Sequence, residues 1–430
     1  MLHRLFALET FGIKLGLDNI SRLCAALGHP ERTFTTLHVA GTNGKGSVTA
    51  MAHAALVSAG VHAGRYISPH LVDLAERFVI GSRPVDAEAL ERAAEDVLDC
   101  ADRLKASGDL AADPTFFEAT TAMAFELFRR ARVEVAVIEV GLGGRYDSTN
   151  IIAPAAGAIT SIGFDHQQWL GESIEAIAFE KAGIIKSGMN VVIGALPDEA
   201  RRVVYDVAAG RQARIIDAAL GTRVTGGVSG GHDEIIVETP EDRYGPLSLA
   251  LRGEHQIGNA RVAIRLLEAA RPNGVRVPRD AIERGLTEVD WPGRLELIRL
   301  QGGGQVLLDA AHNVDGARAL AIYLLREHPE RPALVLGVMR DKDVEGISGA
   351  LLPAVSAVIA TTAGAARAIP ARELAARIAA TAPSAQVRAE PDPRTAVEHA
   401  LSTSGSVCVA GSIVLVGAVR DGLRRRAILR

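Results

Sequence analysis

The chain has 430 residues, of which 48% are hydrophobic, 23% charged and 4% aromatic, and its formal charge is −4. This composition excludes a disordered chain and a strongly basic nucleic-acid binder, and it supplies few aromatic platforms for base stacking. The length suits two or three domains. Cys24, Cys100 and Cys408 are far apart and form no CxxC pair, so neither a disulfide framework nor a thiolate zinc site is expected, and a cytoplasmic, reduced setting is. The opening MLHRLFALETFG lacks the long apolar stretch and small-residue cleavage site of a signal peptide. The longest apolar run, Val407 to Val419, is interrupted by Gly and Ser and is too short for a membrane span.

In chain order, Thr35–Ala40 reads as a strand, followed by a glycine-rich loop and a helix starting near Ser47. Val133–Val140, Gly157–Ile162 and Asn190–Gly194 are further strands, and helices start near Ser173 and Asp198. β-Branched runs such as VEVAVIEV suit strands buried on both faces of a parallel sheet, and strand–helix alternation predicts a doubly wound α/β architecture. Leu220–Gly253 is expected to form a small β hairpin or meander, and a helix follows from about His255 to Ala270. After Trp291-Pro292-Gly293-Arg294 the pattern restarts. Leu295–Leu300 and Gln305–Asp309 flank QGGGQ as a hairpin, and strands are expected at Ala333–Val338, Ala357–Thr361 and Ser406–Ala410. The expected organisation is an N-terminal P-loop-type α/β domain over residues 1–293 with a small β insert, and a smaller Rossmann-like α/β domain over 294–430.

The segment TTLHVAGTNGKGSVTAM, Thr35–Met51, sets Gly41, Gly44 and Gly46 between a strand and a helix. Glycines let backbone N–H groups approach phosphate oxygens, and the helix N-terminus adds donors and a positive dipole. Lys45 is placed to bridge β- and γ-phosphates, and Ser47 to bond phosphate or magnesium. The string departs from GxxxxGK[ST], because Val39 stands for the first Gly and Gly46 separates Lys45 from Ser47. In VAVIEVGLGGRYDSTN, Glu139 ends a strand. There a carboxylate faces the ligand crevice and offers the oxygen that magnesium prefers. Asp165-His166 follow the next strand, and Lys181 lies further on in a largely apolar helix. A desolvated lysine has a lowered pKa, and its neutral amine can take up carbon dioxide as an anionic carbamate. From the residues alone, the plainer reading of Lys181 is a side chain snorkelling beside Glu180. Arg294 in WPGRLE, Asp309 and His312 in LLDAAHNVDGARAL, and GVMRDKD at Gly337–Asp343 each read singly as solvated loops. Together they line the face on which the second domain would close over a nucleotide.

GTNGKGS, EVGLGGRYDSTN, the DH of GFDHQQWLG, EKAGIIK, PGR and DAAHN occur in this order, with ISPHL (Ile67–Leu71), TFFEATT (Thr115–Thr121) and GSIVLVGAVR. The set resembles the folylpolyglutamate synthase/dihydrofolate synthase group of the Mur ligase superfamily, over nearly the whole chain. The resemblance implies an ATP-dependent amide ligase that adds L-glutamate to a carboxylate through an acyl phosphate, with two magnesium ions. Carried onto this sequence, Gly44, Lys45, Gly46 and Ser47 would hold ATP phosphates, and Asn259, Arg294 and Asp309 would contact the nucleotide. Ser68, Glu139 and His166 would be magnesium ligands. Lys181 would be carbamylated, which reverses its plainer reading, and His312 would lie near the transferring phosphate. Thr115, Phe116 and Phe117 would contact the pterin, with Tyr146 and Asp147 adjoining. Three departures are visible: Tyr146 where Leu is usual in GGRLD, HNV for HNP, and Asp-Leu-Ala before Glu76-Arg77.

The resemblance implies dihydropteroate and reduced folates as substrates, bifunctionally or singly, with no nucleic-acid or membrane partner, and a monomer is expected. A cell-wall ligase acting on a UDP-linked sugar peptide would need a further N-terminal domain, for which no room is expected before residue 41. A nucleotide-binding pseudoenzyme would not need Lys45, Glu139, His166 and Lys181 together.

Overall fold

The computed structural model describes residues 2–12, 14, 16–226, 234–301 and 303–424. Parts of two sequence expectations, residues 227–233 of the β insert and Gly302 of the QGGGQ turn, lie outside these residues.

Among the described residues, eight strands form the first sheet. They are β1 (Thr35–Ala40), β2 (Ala63–Tyr66), β3 (Phe78–Ile80), β4 (Arg83–Pro84), β5 (Val135–Glu139), β6 (Ala156–Ile159), β7 (Asn190–Ile193) and β8 (Arg214–Asp217). Their order is β4-β3-β2-β5-β1-β6-β7-β8, parallel from β2 to β8, with β3 and β4 an antiparallel edge. β1 is central and buried on both faces, one face apolar and the other carrying buried Thr36 and His38 before Ala40. Leu37 and Val39 join the core on one side, and Ala40 joins a second core on the other. β5 and β6 flank it, so three loops meet at its carboxyl end. This is the crevice where α/β sheets bind ligands.

The helix Lys45–Ser58 follows β1 and is apolar nearly all round, so it is buried on most of its surface. The helix Arg279–Thr287 closes over it. A Cβ at Gly285 would stand 2.5 Å from the Ala55 nitrogen, so only glycine permits that approach. The β insert is a three-stranded antiparallel sheet of β9 (Arg223–Gly226), β10 (Glu234–Glu238) and β11 (Arg243–Ser248). Buried Glu268 ties this sheet to the helix Glu254–Ala270, accepting from the Tyr244 hydroxyl at 2.8 Å and from Thr239 at 2.7 Å.

The remaining strands are β12 (Glu296–Arg299), β13 (Gln305–Leu308), β14 (Ala333–Leu336), β15 (Ala357–Ala360), β16 (Val387–Ala389) and β17 (Ser406–Ala410). They form a second α/β sheet in the order β12-β13-β17-β14-β15-β16. The β12–β13 pair is the expected hairpin and the rest is parallel.

The structure thus has the mixed α/β architecture expected, with three local differences. The helix expected near Ser47 starts at Lys45. The strand expected over Gly157–Ile162 ends at Ile159, because the Thr160 and Ser161 hydroxyls turn to the Asn43 carbonyl at 2.6 and 3.0 Å. β2, β3, β4, β8 and β16 were not anticipated, since each is at most four residues long and shows little alternation. The three cysteines are buried and free. Among the described residues, no helix is long and apolar enough to cross a membrane.

Candidate active site

The loop between β1 and its helix is shaped by glycine and by contacts from β6. Gly41 has φ +147°, a conformation L side chains rarely adopt, and a side chain there would collide with Thr160. Asn259 reaches the loop from the helix Glu254–Ala270 and lies where a side chain on Gly44 would project. Its amide donates to Gln256 at 2.9 Å. Lys45 donates to the carbonyls of Gly41 and Thr42, both at 3.0 Å. Buried Lys181 donates to the same Gly41 carbonyl at 2.9 Å. Among the described residues neither lysine has a carboxylate within ion-pairing distance. Burial lowers the pKa of both, and for Lys181 burial and then the Lys45 charge push it down to about 7.

Glu139, the last residue of β5, is buried beside this pair. Burial pushes its carboxyl up to about 7, against the pull of Lys45, of Arg294 and of a backbone N–H from Ser68. Arg294 is half-buried and, among the described residues, makes no hydrogen bond, so its charge is free for a ligand. Asp309 braces the linker, accepting from the backbone N–H of Leu295 and of Ala311, each at 2.9 Å. His166 starts a short helix, and burial holds its imidazole down to about 4, hence neutral and able to ligate.

Among the described residues, no three His, Cys, Asp or Glu side chains gather as a complete metal cage. That sparse donor set fits magnesium, which keeps water and completes its shell from substrate phosphates. Glu139 has lone pairs left for such an ion. The Lys45 charge is felt by both Glu139 and His166.

The two sheets meet across the site through residues whose motifs the sequence showed but whose pairing it did not. Asp165 receives Lys342 from the second sheet's loops, the Asn313 amide at 3.2 Å and His312 Nε2 at 3.3 Å. Asp165 and Lys342 are each only 8% exposed at the side chain. Burial opposes the charge on Asp165, but His312, Lys342 and His166 hold its carboxyl well below the usual carboxylate range. Asn43 in the glycine loop exchanges reciprocal amide hydrogen bonds with Asn313 at 2.9 and 3.2 Å. His312 is aimed by its Nδ1, which donates to the Ala310 carbonyl at 2.9 Å.

The residues expected at the pterin side gather around the chain that leaves the carboxyl end of β5, just beyond Glu139. The Thr115 hydroxyl is committed to a capping box with Glu118, at 3.1 and 2.7 Å, so substrate contacts from this segment fall to Phe116 and Phe117. Arg77 lies 5.1 Å over the Phe116 ring and donates to His70 at 2.9 Å. Phe117 packs on Gly141, where a Cβ would stand 2.5 Å from the ring. Tyr146 is 40% exposed, with the Arg145 guanidinium 4.3 Å over its ring. The Asp147 carboxylate is turned inward. It accepts from the Leu142 N–H at 2.7 Å and from the Thr149 hydroxyl, and burial pushes it up to about 6. His38 on β1, a polar residue in an apolar strand, supports Thr149 at 2.9 Å and stays neutral, since burial pushes it down to about 3. That break in the apolar pattern was the available sequence signal. Beside the Thr115–Glu118 cap opens a polar cavity lined by Lys14, Asp18, Asn19, Arg22 and Asp109.

Asp165→Asn should loosen the junction of the two sheets by about 1.5–3 kcal/mol, because it leaves buried Lys342 with only the longer contact to Asp341 at 3.6 Å. Backbone hydrogen exchange around residues 310–314 and 338–344 should accelerate, and unchanged protection would remove Asp165 from the junction. The carboxylate is held low, so the junction is at full strength above the ordinary value of 3.8 and weakens as pH falls below it.

Residues 97–267 match the Mur ligase middle domain and residues 293–418 match the Mur ligase glutamate ligase domain. A dihydrofolate synthase/folylpolyglutamate synthase of Bacillus subtilis is 36% identical over 346 residues, 78% of either chain. A folylpolyglutamate synthase of Mycobacterium tuberculosis, solved with ADP and AMPPCP, superposes with a TM-score of 0.92 at 33% identity over 99% of both chains. The bifunctional folylpolyglutamate synthase/dihydrofolate synthase of Yersinia pestis, solved with AMPPNP and a Mn ion, gives 0.84 at 29% identity over 98% of this chain and 97% of that one. The glycine loop, the two converging lysines and the second α/β sheet closing over them belong to one lineage: this chain is a member of the dihydrofolate synthase/folylpolyglutamate synthase family of Mur ligases.

Proposed function

We propose that this chain uses ATP to join L-glutamate to the carboxylate of a pterin-bearing substrate, accepting both dihydropteroate and reduced folates. The observation that carries this reading is the pair Lys45 and Lys181, which share one neutral carbonyl and, among the described residues, have no carboxylate partner. Cations held out of water in that way are costly until an anion arrives, and a polyphosphate beside the glycine loop supplies it. Acceptance of both substrates is supported by the double names of the Bacillus and Yersinia relatives.

In this reading the backbone of Gly44 and Gly46, with Lys45 and Ser47, holds the phosphates, and Asn259, Arg294 and Asp309 hold the rest of the nucleotide. Magnesium, as one ion or two, would be held by Ser68, Glu139 and His166 and would neutralise phosphate charge. A substrate carboxylate oxygen attacks the γ-phosphorus and ADP leaves, giving an acyl phosphate. The glutamate amine then attacks the acyl carbon, phosphate leaves, and the amine loses its proton to form the amide. Phosphoryl transfer depends on positioning and charge neutralisation, and both lysines and His312 face the space where charge moves. An acyl phosphate hydrolyses in open water. The Asp165–Lys342 and Asn43–Asn313 contacts hold the two halves together and keep water out. Phe116, Phe117 and Tyr146, beside the cavity at Asn19, take the pterin side, with Thr115 and Asp147 fixing that wall. The chain divides into 1–293 and 294–430, and as a cytoplasmic monomer it supplies both sides of the cleft.

The test is ADP release with ATP, magnesium and L-glutamate in the presence of dihydropteroate, of tetrahydrofolate, or of neither. Release with each substrate alone is expected. Release with only one would make the enzyme monofunctional, and release with neither would end the reading.

A pKa near 7 leaves much of Lys181 as the neutral amine at neutral pH, able to form a carbamate with carbon dioxide. Activation by bicarbonate should therefore rise as pH increases through 7 and fade below it, where the ammonium persists. Lys181→Ala should lose about 10²–10³-fold in turnover and regain part of it with added formate or acetate. Full activity without rescue would make Lys181 structural.

A further inference from the structure

Trp291 stands on the linker between the helix Arg279–Thr287 and β12. Its indole lies on the first turn of the helix that follows the glycine loop. A Cβ at Gly46 would be 2.7 Å from Cζ2 and 3.2 Å from Cε2, so residue 46 must be glycine for the ring to sit there. The Arg65 guanidinium, from β2, also lies over the ring, 4.8 Å from its centroid. This stack is also where buried polar atoms lack partners. Arg65 Nε, Trp291 Nε1, Thr49 Oγ1 and His53 Nε2 make no hydrogen bond among the described residues. Thr49 and His53 follow Gly46 by three and seven positions, along one face of the same helix. An ordinary core tryptophan would be covered by apolar side chains. Here a half-buried cation is spent on the ring face, and Arg65 and Glu139 feel one another's charge.

The linker residues after Trp291 are fastened to the second sheet. The Gly293 carbonyl accepts from Ala310 at 2.9 Å, and its N–H donates to Glu296 at 2.9 Å. Glu296 is in turn held by Arg420 at 2.9 Å. The indole is therefore fixed at one end to the glycine loop and, two residues later, to the other half of the molecule.

We propose that Trp291, clamped by Arg65 against Gly46, is a positioning residue for the ATP phosphates, setting the first turn of the loop helix only when the linker is docked on the second sheet. The proposal rests on the reading of residues 41–47 as the ATP seat. Trp291 touches no reacting atom in it. It fixes the direction of the N–H groups at Gly46 and Ser47, and it makes that direction depend on the placement of residues 293–296. ATP binding and closure of the two halves are then coupled through one side chain.

The chain has two tryptophans, so Trp169→Phe leaves Trp291 as the single indole reporter. Calorimetry with AMPPNP and magnesium first establishes nucleotide binding in that protein; a failure to bind would refute the ATP seat itself. Given binding, Trp291 emission should shift on saturation, and an unchanged spectrum would overturn the proposal. Trp291→Leu should raise the KM for ATP by about tenfold or more with little change in the KM for the pterin substrate. Trp291→Phe, which keeps an aromatic face for Arg65, should recover most of that loss. Equal losses of stability in both variants, with the ATP KM unmoved, would make Trp291 structural only. If Trp291→Leu does not fold, the emission measurement decides alone.

Discussion

Lys45 and Lys181 arrive from different helices and donate to one oxygen, the carbonyl of Gly41. Two ammonium groups that close repel, and among the described residues neither is answered by a carboxylate at ion-pairing distance. The arrangement exists because three loops leave adjacent strands at the same edge. β1 brings Gly41 and Lys45, β5 brings Glu139, and the segment after β6 brings Asp165, His166 and then Lys181. Packing of the helix Lys45–Ser58 between the sheet and the helix Arg279–Thr287 holds the loop rigid, so the lysines cannot relax outward together. The energy lost in that arrangement is recovered when polyphosphate enters, and it is recovered most as charge develops in transfer.

A second constraint follows from the first. A site that generates an acyl phosphate must be dry, and one sheet edge is open on one side. The second sheet covers it through polar contacts. Asp165 gathers Lys342, His312 and Asn313, and Asn43 pairs with Asn313. Polar junctions of this kind are directional and can exchange partners with water, which suits a cleft that must admit substrate and release ADP. His312 is fixed at both ring nitrogens, by the Ala310 carbonyl at Nδ1 and by Asp165 at Nε2.

Much of the fold was legible because it is local. TTLHVA and VAVIE announce buried parallel strands by composition, and the glycine loop between β1 and its helix is visible in GTNGKG. The pairing of Asn43 with Asn313, 270 residues apart, and of Asp165 with Lys342, 177 apart, was not legible, since it depends on how two sheets dock. Lys181 shows the limit from the other side. Its helix is apolar enough to predict burial, but nothing local says that its Nζ reaches Gly41, and only the family resemblance separated it from a snorkelling surface lysine. Thr115 carried a signal that pointed elsewhere: T-F-F-E is the signature of a capping box, and the structure uses it as one.

The direct test of the unanswered cations is the unfolding free energy of the ligand-free protein, wild type against Lys181→Met, between pH 6 and pH 10. With a folded pKa of about 7 against 10.5 in the unfolded chain, the lysine binds fewer protons folded than unfolded between those values. Wild-type stability therefore rises with pH across that window, and the cost of the lysine is greatest below 7. Lys181→Met should be the more stable protein at pH 6, by about 3–5 kcal/mol, with the difference shrinking toward pH 10. A methionine variant that is equally or less stable at pH 6 would show that Lys181 is already compensated in the ligand-free state and that no vacancy for an anion is built into the loop.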